Sequence, residues 1–475
     1  MSRAQAILLT LVVYKVALVA IGVWASRRTH DTGDFFLGGR RLGAWVAALS
    51  ASASSSSAWT LLGVSGAAYA WGVSALWLFP ATVSGFLVNW LWVAPRLMRE
   101  SRADDSLTLT VFLAGDRDDP TAPAIIRLSS VVVLFSFLFY VAAQFQAAGH
   151  AFASSFALDE TTAIAIGVAI IVLYTLLGGF WAVSVTDTLQ GLLMAGTAIV
   201  LPLVALAAVG GFGELAEGLR RVSESGEMSL TGGRGPVLGI AFVLGTLGIG
   251  LGYPGQPHVV NRFMALRDPR ALARGRVVAI LWAVAVYAGM LLLGLCGRVL
   301  FAEIPDGEQV FFEAANAMLP PVVAGVMIAA VLSAIMSTAD SQLLVAASSV
   351  SYDLDRAARR ASDPEARGLG RSRLVVLAVS LVAMLIAMFA PAAIFSRVLF
   401  AWHALGSAFG PPLVLRLAGL RIAPRAILAS IATGFGLTVL LHWLTPDAPG
   451  DWVERLVPLA AAFGVAWAGR RKTAR

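Results

Sequence analysis

A single cysteine, Cys296, and five scattered histidines, His30, His150, His258, His403 and His442, give the chain no means for an intrachain disulfide, a multi-cysteine metal centre or a histidine-based catalytic site. Charge is almost as scarce, at 13% of residues against 58% hydrophobic, and the mean hydropathy is +0.80. That balance excludes a soluble globular domain and leaves a polytopic membrane protein. The net charge of +7 comes from bases dispersed through short loops rather than gathered into a groove, so no nucleic-acid partner is expected. The apolar run after Met1 is too long, and too poor in cleavage-site residues, for a removable signal peptide, and reads as a retained helix.

Apolar windows of about 20 residues between polar breaks give about thirteen spans. They fall near 6–26, 42–71, 75–97, 124–152, 160–179, 184–210, 235–256, 274–300, 319–349, 371–390, 394–418, 426–443 and 452–469. Basic loops alternate with loops poor in base: Arg27, Arg28, Arg40 and Arg41, then Arg96, Arg99 and Arg102, then Arg262, Arg267 and Arg270. Arg356, Arg359, Arg360, Arg367 and Arg371 continue the series, followed by Arg421 and Arg425 and the tail Arg470, Arg471, Lys472 and Arg475. The positive-inside rule makes these loops cytoplasmic, with the N-terminus outside, the C-terminus inside and the chain in the cell's plasma membrane. The opposite loops are acidic or neutral, as at Glu303, Asp306 and Glu308, although Arg220 and Arg221 depart from the trend.

Four consecutive serines, Ser54 to Ser57, interrupt the second span, and GTLGIGLGYPGQP at 245–257 interrupts another. Backbone polarity at membrane depth is tolerated where it is buried in protein or lines a cavity, and paired broken spans mark the midplane site of an inverted-repeat transporter. A third polar segment, AIMSTADSQLL at 334–344, puts Ser337, Asp340 and Ser341 on one helical face beside Thr338. Hydroxyls and a carboxylate suit a hard cation such as sodium; the other reading of each serine is back-bonding and helix packing. A carboxylate inside a span costs about 2.5–3.5 kcal/mol on insertion scales, so Asp340 calls for a partner. Asp187, in GGFWAVSVTDTLQG at 178–191, stands either as an N-terminal cap or as a cation ligand. Lys15, well inside the first span, either pairs with a group in the membrane or snorkels to an interface.

With DFFLGGRRLG at 34–43, the ALSASAS…AW segment at 48–59, GGFWAVSVTDTLQ, GYPGQPHVVNRFMA at 252–265 and MSTADSQLL at 336–344, nearly the whole chain resembles the sodium:solute symporter family, with the sodium/proline symporters nearest in pattern. The resemblance implies an all-α fold of thirteen transmembrane helices with a LeuT-like 5+5 inverted repeat, broken helices and alternating access. It divides one transmembrane domain, 1–475, into an extra helix and loop at 1–41, repeats at 42–210 and 235–418, and two C-terminal helices with a short tail at 419–475. It places a main sodium ion on backbone carbonyls of Ala53, Ser56 and Ala334 and hydroxyls of Ser337 and Thr338. A second sodium would lie near Asp187, Ser337, Asp340 and Ser341.

The chain departs from the pattern at Ser55, where the proline symporters have aspartate, at Ile249, where they have tryptophan, and at Gln144, where they have a small residue. Asp340 is one conceivable source of the charge missing at position 55. The expected solute wall comprises Ser55, Ser57, Trp59, Tyr140, Gln144, Ile249, Tyr253 and Gln256: aromatics for shape, amides for polar groups, and freed N–H groups at the breaks for a carboxylate. The reading is therefore a transporter, not an enzyme, coupling sodium to a small organic solute such as proline, with no obligate protein partner beyond the lipid bilayer. Proton coupling, an organic acid as solute, and a transporter-like sensor stand as alternatives.

Overall fold

The computed structural model describes residues 3–26, 37–116, 118–156, 158–177, 180–223, 227–357, 364–390, 392–445 and 449–471. Arg27, Arg28, His30, Asp34, Arg359, Arg360, Lys472 and Arg475 fall outside them. The fold is all-helical. Ten helices among the described residues have the length and apolarity to cross a membrane. One of these is the 60-residue stretch Ala44–Ala103, which covers the expected second and third spans and turns at Gly72, where φ is +60°. The expected spans at 160–179 and 452–469 are the shorter helices Glu160–Leu177 and Trp452–Ala468.

Nine helices frame the site: α1 (Arg3–Ser26), α2 (Ala44–Ala58), α3 (Val64–Trp71), α4 (Ala122–Phe156), α5 (Phe180–Val209), α6 (Pro236–Leu251), α7 (Pro257–Met264), α8 (Pro269–Leu300) and α9 (Pro321–Ser348), with α10 (Ile394–Leu417) closing one side. The α2–α3 span breaks where the hydroxyls are. Ser57 takes φ 42° and ψ −175°, and a π-helical turn at Trp59–Gly63 follows before α3 resumes. The other broken span parts at Tyr253–Gly255, with Gln256 extended before α7. Leu42, just ahead of α2, pairs with the chain just past α7: its N–H donates to Ala265 O at 3.1 Å and its carbonyl accepts from Arg267 N at 2.9 Å. The start of one broken span is thus tied to the end of the other.

Small residues let these elements close on one another. A Cβ on Gly255 would fall 2.7 Å from the Cα of Gly406, so α10 rests directly on the second break. The apolar core runs through the whole bundle, while Leu173, Val237, Leu281 and Trp443 are exposed on its outside, as a lipid-facing surface requires.

Candidate functional site

Past Ala53 the α2 backbone turns its carbonyls towards α9. The Ser337 hydroxyl donates to Ala53 O and to Ala334 O, both at 3.2 Å, and Thr338 Oγ1 lies 3.5 Å from Ala53 O and 3.1 Å from Ser54 O. Ala53, Ser337 and Thr338 are fully buried. This cluster contains oxygens only, carbonyl and hydroxyl, and no side-chain carboxylate, a donor set that fits a hard monovalent cation. Ser56 is oriented differently: its carbonyl accepts from the Trp59 N–H beyond the break, and its buried hydroxyl has no hydrogen-bond partner among the described residues.

Ser337 carries a second arrangement on its backbone side. Its carbonyl accepts from Ser341 Oγ at 2.7 Å and lies 3.1 Å from Ser54 Oγ, which is 3.2 Å from Asp187 Oδ2 and 3.0 Å from Ser341 Oγ. Ser50 donates to Asp187 Oδ2 at 2.7 Å. Asp187 lies two turns inside α5, which begins at Phe180, so the N-cap reading falls: the helix ends that need a cap lie elsewhere. Its partner is Arg262, whose Nη2 lies 2.9 Å from Asp187 Oδ2 and 2.6 Å from Ser341 Oγ, while its Nε donates to Ser50 at 2.7 Å. Reading Arg262 as one of a cytoplasmic loop's bases is therefore corrected. It sits on α7, 1% exposed, folded back into the protein. Asp340 is fully buried beside this pair, and among the described residues neither of its oxygens has a hydrogen-bond partner. A small cavity is lined by Thr108, Phe180, Asn261, Arg262, Ser341 and Ser348, and so borders the cluster at Arg262 and Ser341.

The expected solute-lining residues divide in two. Around the first break, Ser57 Oγ accepts from Trp59 N at 3.1 Å and lies 3.5 Å from Tyr140 Oη, and Gln144 Oε1 accepts from Ala58 N at 3.0 Å. The freed amides of the break are thus met by Ser57 and Gln144, and Gln144 Nε2 is buried with no hydrogen-bond partner among the described residues. The Trp59 ring stands 6.2 Å from Tyr287 and 5.6 Å from Phe395. Around the second break, Tyr253 meets Trp402 edge-on at 4.7 Å, and Gln256 donates to Trp402 O at 2.8 Å and Gly252 O at 3.1 Å. Ile249 is buried, its carbonyl accepting from Trp402 Nε1 at 3.2 Å. Ser55 faces its own helix, donating to Ser52 O at 3.0 Å.

Sequence reasoning missed Ser50, Arg262, Tyr287 and Trp402. Tyr287 joins the two breaks, with its hydroxyl 3.2 Å from both Tyr253 Oη and Thr60 Oγ1. Arg262 carried a usable signal: it lies one helical turn after His258 in an otherwise mostly apolar PHVVNRFM run that directly follows a break, a place where a base is not free to reach water. Tyr287 and Trp402 offered none, being aromatics within apolar spans.

The sodium:solute symporter family model matches residues 35–434. The osmoregulated proline transporter OpuE of Bacillus subtilis is 35% identical over 95% of this chain and 92% of its own. The high-affinity proline transporter PutP of the same organism is 36% identical over 94% and 93%, and the sodium/proline symporter of Escherichia coli 34% over 93% and 88%. Among solved structures, a sodium-coupled sialic acid symporter in a substrate-bound outward-open state aligns with TM-score 0.78 at 17% identity, over 98% of this chain and 99% of that one. A nucleobase-cation-symport transporter aligns with TM-score 0.54 at 16% identity over 93% and 97%. These two similarities speak to the fold alone.

Proposed function

The chain belongs to the sodium:solute symporter family, and from that premise we propose that it carries a small amino acid of the proline class across the membrane together with sodium, by alternating access. The observation that carries this reading is the joining of the two helix breaks through Tyr253, Tyr287 and Thr60, next to an all-oxygen cluster on Ala53, Ala334, Ser337 and Thr338. Sodium binds there as a co-transported substrate, with Ser56 joining when the break adjusts. The solute lies between Trp59, Tyr140 and Gln144 on one side and Tyr253 on the other, where Gln144 Nε2 recognises its polar groups. Ser57 helps shape the break, while Gln256 and Ile249 support the second break and Ser55 contributes no hydroxyl to the solute. Residues 42–210 and 235–418 act as the two repeats, in a plasma membrane with the basic loops and the C-terminus on the cytoplasmic side and the N-terminus outside.

Radiolabelled proline uptake into proteoliposomes tests this, with an imposed sodium gradient set against an imposed proton gradient and unlabelled amino and organic acids as competitors. Sodium-driven uptake displaced by small amino acids is the expected result. Uptake driven by protons alone would refute sodium coupling. Sodium-driven flux displaced only by organic acids would move the solute class, with Gln144 and Ile249 as the residues to exchange first.

A further inference from the structure

Two carboxylates and two basic side chains meet in the interior between α1, α5, α7 and α9. Asp187 and Asp340 are both fully buried, and among the described residues three of their four oxygens, Asp187 Oδ1 and both of Asp340, have no partner within ordinary hydrogen-bond geometry, Ser341 being the nearest donor to Asp340. Arg262 reaches Asp187 at 2.9 Å and Ser341 at 2.6 Å, so its guanidinium holds oxygens that a second sodium would need. Lys15, half-buried on α1, donates to the sulfur of Met336, one helical turn ahead of Asp340 on α9. Tyr14, beside it, bonds Ser333 on the same face of α9, fixing α1 at this height.

Uncompensated carboxylates are not buried in pairs at membrane depth. With Arg262 bonded to Asp187 and Lys15 held on Met336 one turn from Asp340, the two bases match the two acids in formal charge, whereas a sodium ion added to them would be an unmatched charge in a medium of low dielectric constant. We propose that Arg262 and Lys15 are tethered cations that take the place of a second sodium ion, leaving a latent cation site around Asp340 that opens when Lys15 is removed. The inference rests on the sodium-symport reading and goes beyond it: the main cluster at Ala53 and Ser337 is the one exchangeable sodium position.

Equilibrium binding of sodium-22 to the purified full-length chain in lipid nanodiscs reads this without solute or transport. The wild type is expected to saturate at one ion per chain. Lys15→Met is expected to gain a second saturable site, Lys15→Arg to stay at one, and Lys15→Met combined with Asp340→Asn to return to one. Should Lys15→Met fail to fold, Arg262→Gln serves the same end by freeing Asp187, and again a second site is expected. Two ions bound by the wild type, one ion bound by a folded Lys15→Met, or, where that variant does not fold, one ion bound by Arg262→Gln, would overturn the inference. No binding by the wild type would overturn the sodium-symport reading itself, and the inference with it.

Discussion

The two helix breaks do the same mechanical job with opposite materials. The first is built from serines, and one of them, Ser57, is held at a positive φ of 42° that L-residues seldom adopt. The second is built from Gly252, Pro254 and Gly255, with no positive φ at all, its Gln256 resting at φ −93° and ψ 101°. The first break faces α9 and α5 and presents hydroxyls and carbonyls to them; the second faces α10 and presents a close glycine contact and an aromatic pair. Strain is stored on the ion-facing side, and tight packing is concentrated on the other. A break that must hold an ion needs oxygens pointing inward, which serine supplies at the cost of backbone strain; a break that serves as a bearing for α10 needs absence of bulk, which glycine supplies.

The largest effect that separates the two is expected from Ser337→Ala combined with Thr338→Ala. Each removes a hydroxyl that α9 presents to the first break, and a ligand to a charged species contributes about 1.5–3 kcal/mol, so the pair lowers sodium affinity by about 100-fold or more. Sodium titration of uptake measures this, with thermal unfolding unchanged within about 1 kcal/mol as the check that the fold survives. Wild-type sodium affinity in the double variant would move the ion away from the first break.

Next in size is Gly255→Ala. Its Cβ would lie 2.7 Å from the Cα of Gly406 and 2.8 Å from the carbonyl oxygens of Leu405 and Gly406, all backbone that cannot swing aside. Overpacking of this kind costs about 1–3 kcal/mol, so the apparent melting temperature drops while sodium affinity holds. A drop in sodium affinity with no loss of stability would mean that the second break belongs to the ion site.

A smaller, signed pair sharpens the contrast. Ser57→Gly removes positive-φ strain and is expected to raise stability by about 1 kcal/mol, even as it withdraws the oxygen that accepts from Trp59 N. Gln256→Gly relieves no strain, gives up the bonds to Trp402 O and Gly252 O, and is expected to lower stability by about 1–2 kcal/mol. Thermal unfolding of both variants decides it: the same sign in both would show that the two breaks are energetically alike.

Both breaks were legible in the sequence because serine runs and Gly-Pro clusters in apolar spans have few other physical explanations. Ser337, Asp340 and Ser341 were legible for the same reason, on one face of a helix with Thr338 beside them. Arg262 was not, because loop-charge counting assigns a base to water whatever its depth, and only the fold shows that α7 is short and turned inward. Asp187 was read ambiguously because the start of its helix, four residues earlier than expected, decides between cap and interior. Tyr287 and Trp402 were illegible in principle, since what makes them matter is a neighbour distant in sequence: Thr60 for one, Ile249 and Gln256 for the other.

The smallest expected effect is a pH dependence at the far end of the first broken span. Glu308, in the acidic loop between α8 and α9, accepts from Ile394 N at 2.9 Å and Phe395 N at 2.7 Å, capping α10, and its backbone lies against Gly66 of α3. It thereby staples α3, the second half of the first broken span, to α10, the helix packed on the second break. Burial pushes its carboxyl up to about 7, against the pull of the Phe395 and Ile394 amides and with nearby Asp306 adding to the rise. A group raised in the closed arrangement favours that arrangement when protonated. The contribution is complete below the ordinary carboxylate range near 4.5 and is lost as pH climbs through about 7, so the staple loosens between pH 5 and 8. Hydrogen exchange at the Ile394 and Phe395 amides, expressed as protection factors to remove the intrinsic pH effect, is expected to fall over that range in the wild type and to stay flat in Glu308→Gln. Exchange at amides of the second break should not follow it. If Tyr253 and Gln256 lose protection in step with Phe395, the two breaks open as one unit through α10 rather than as separately loaded halves.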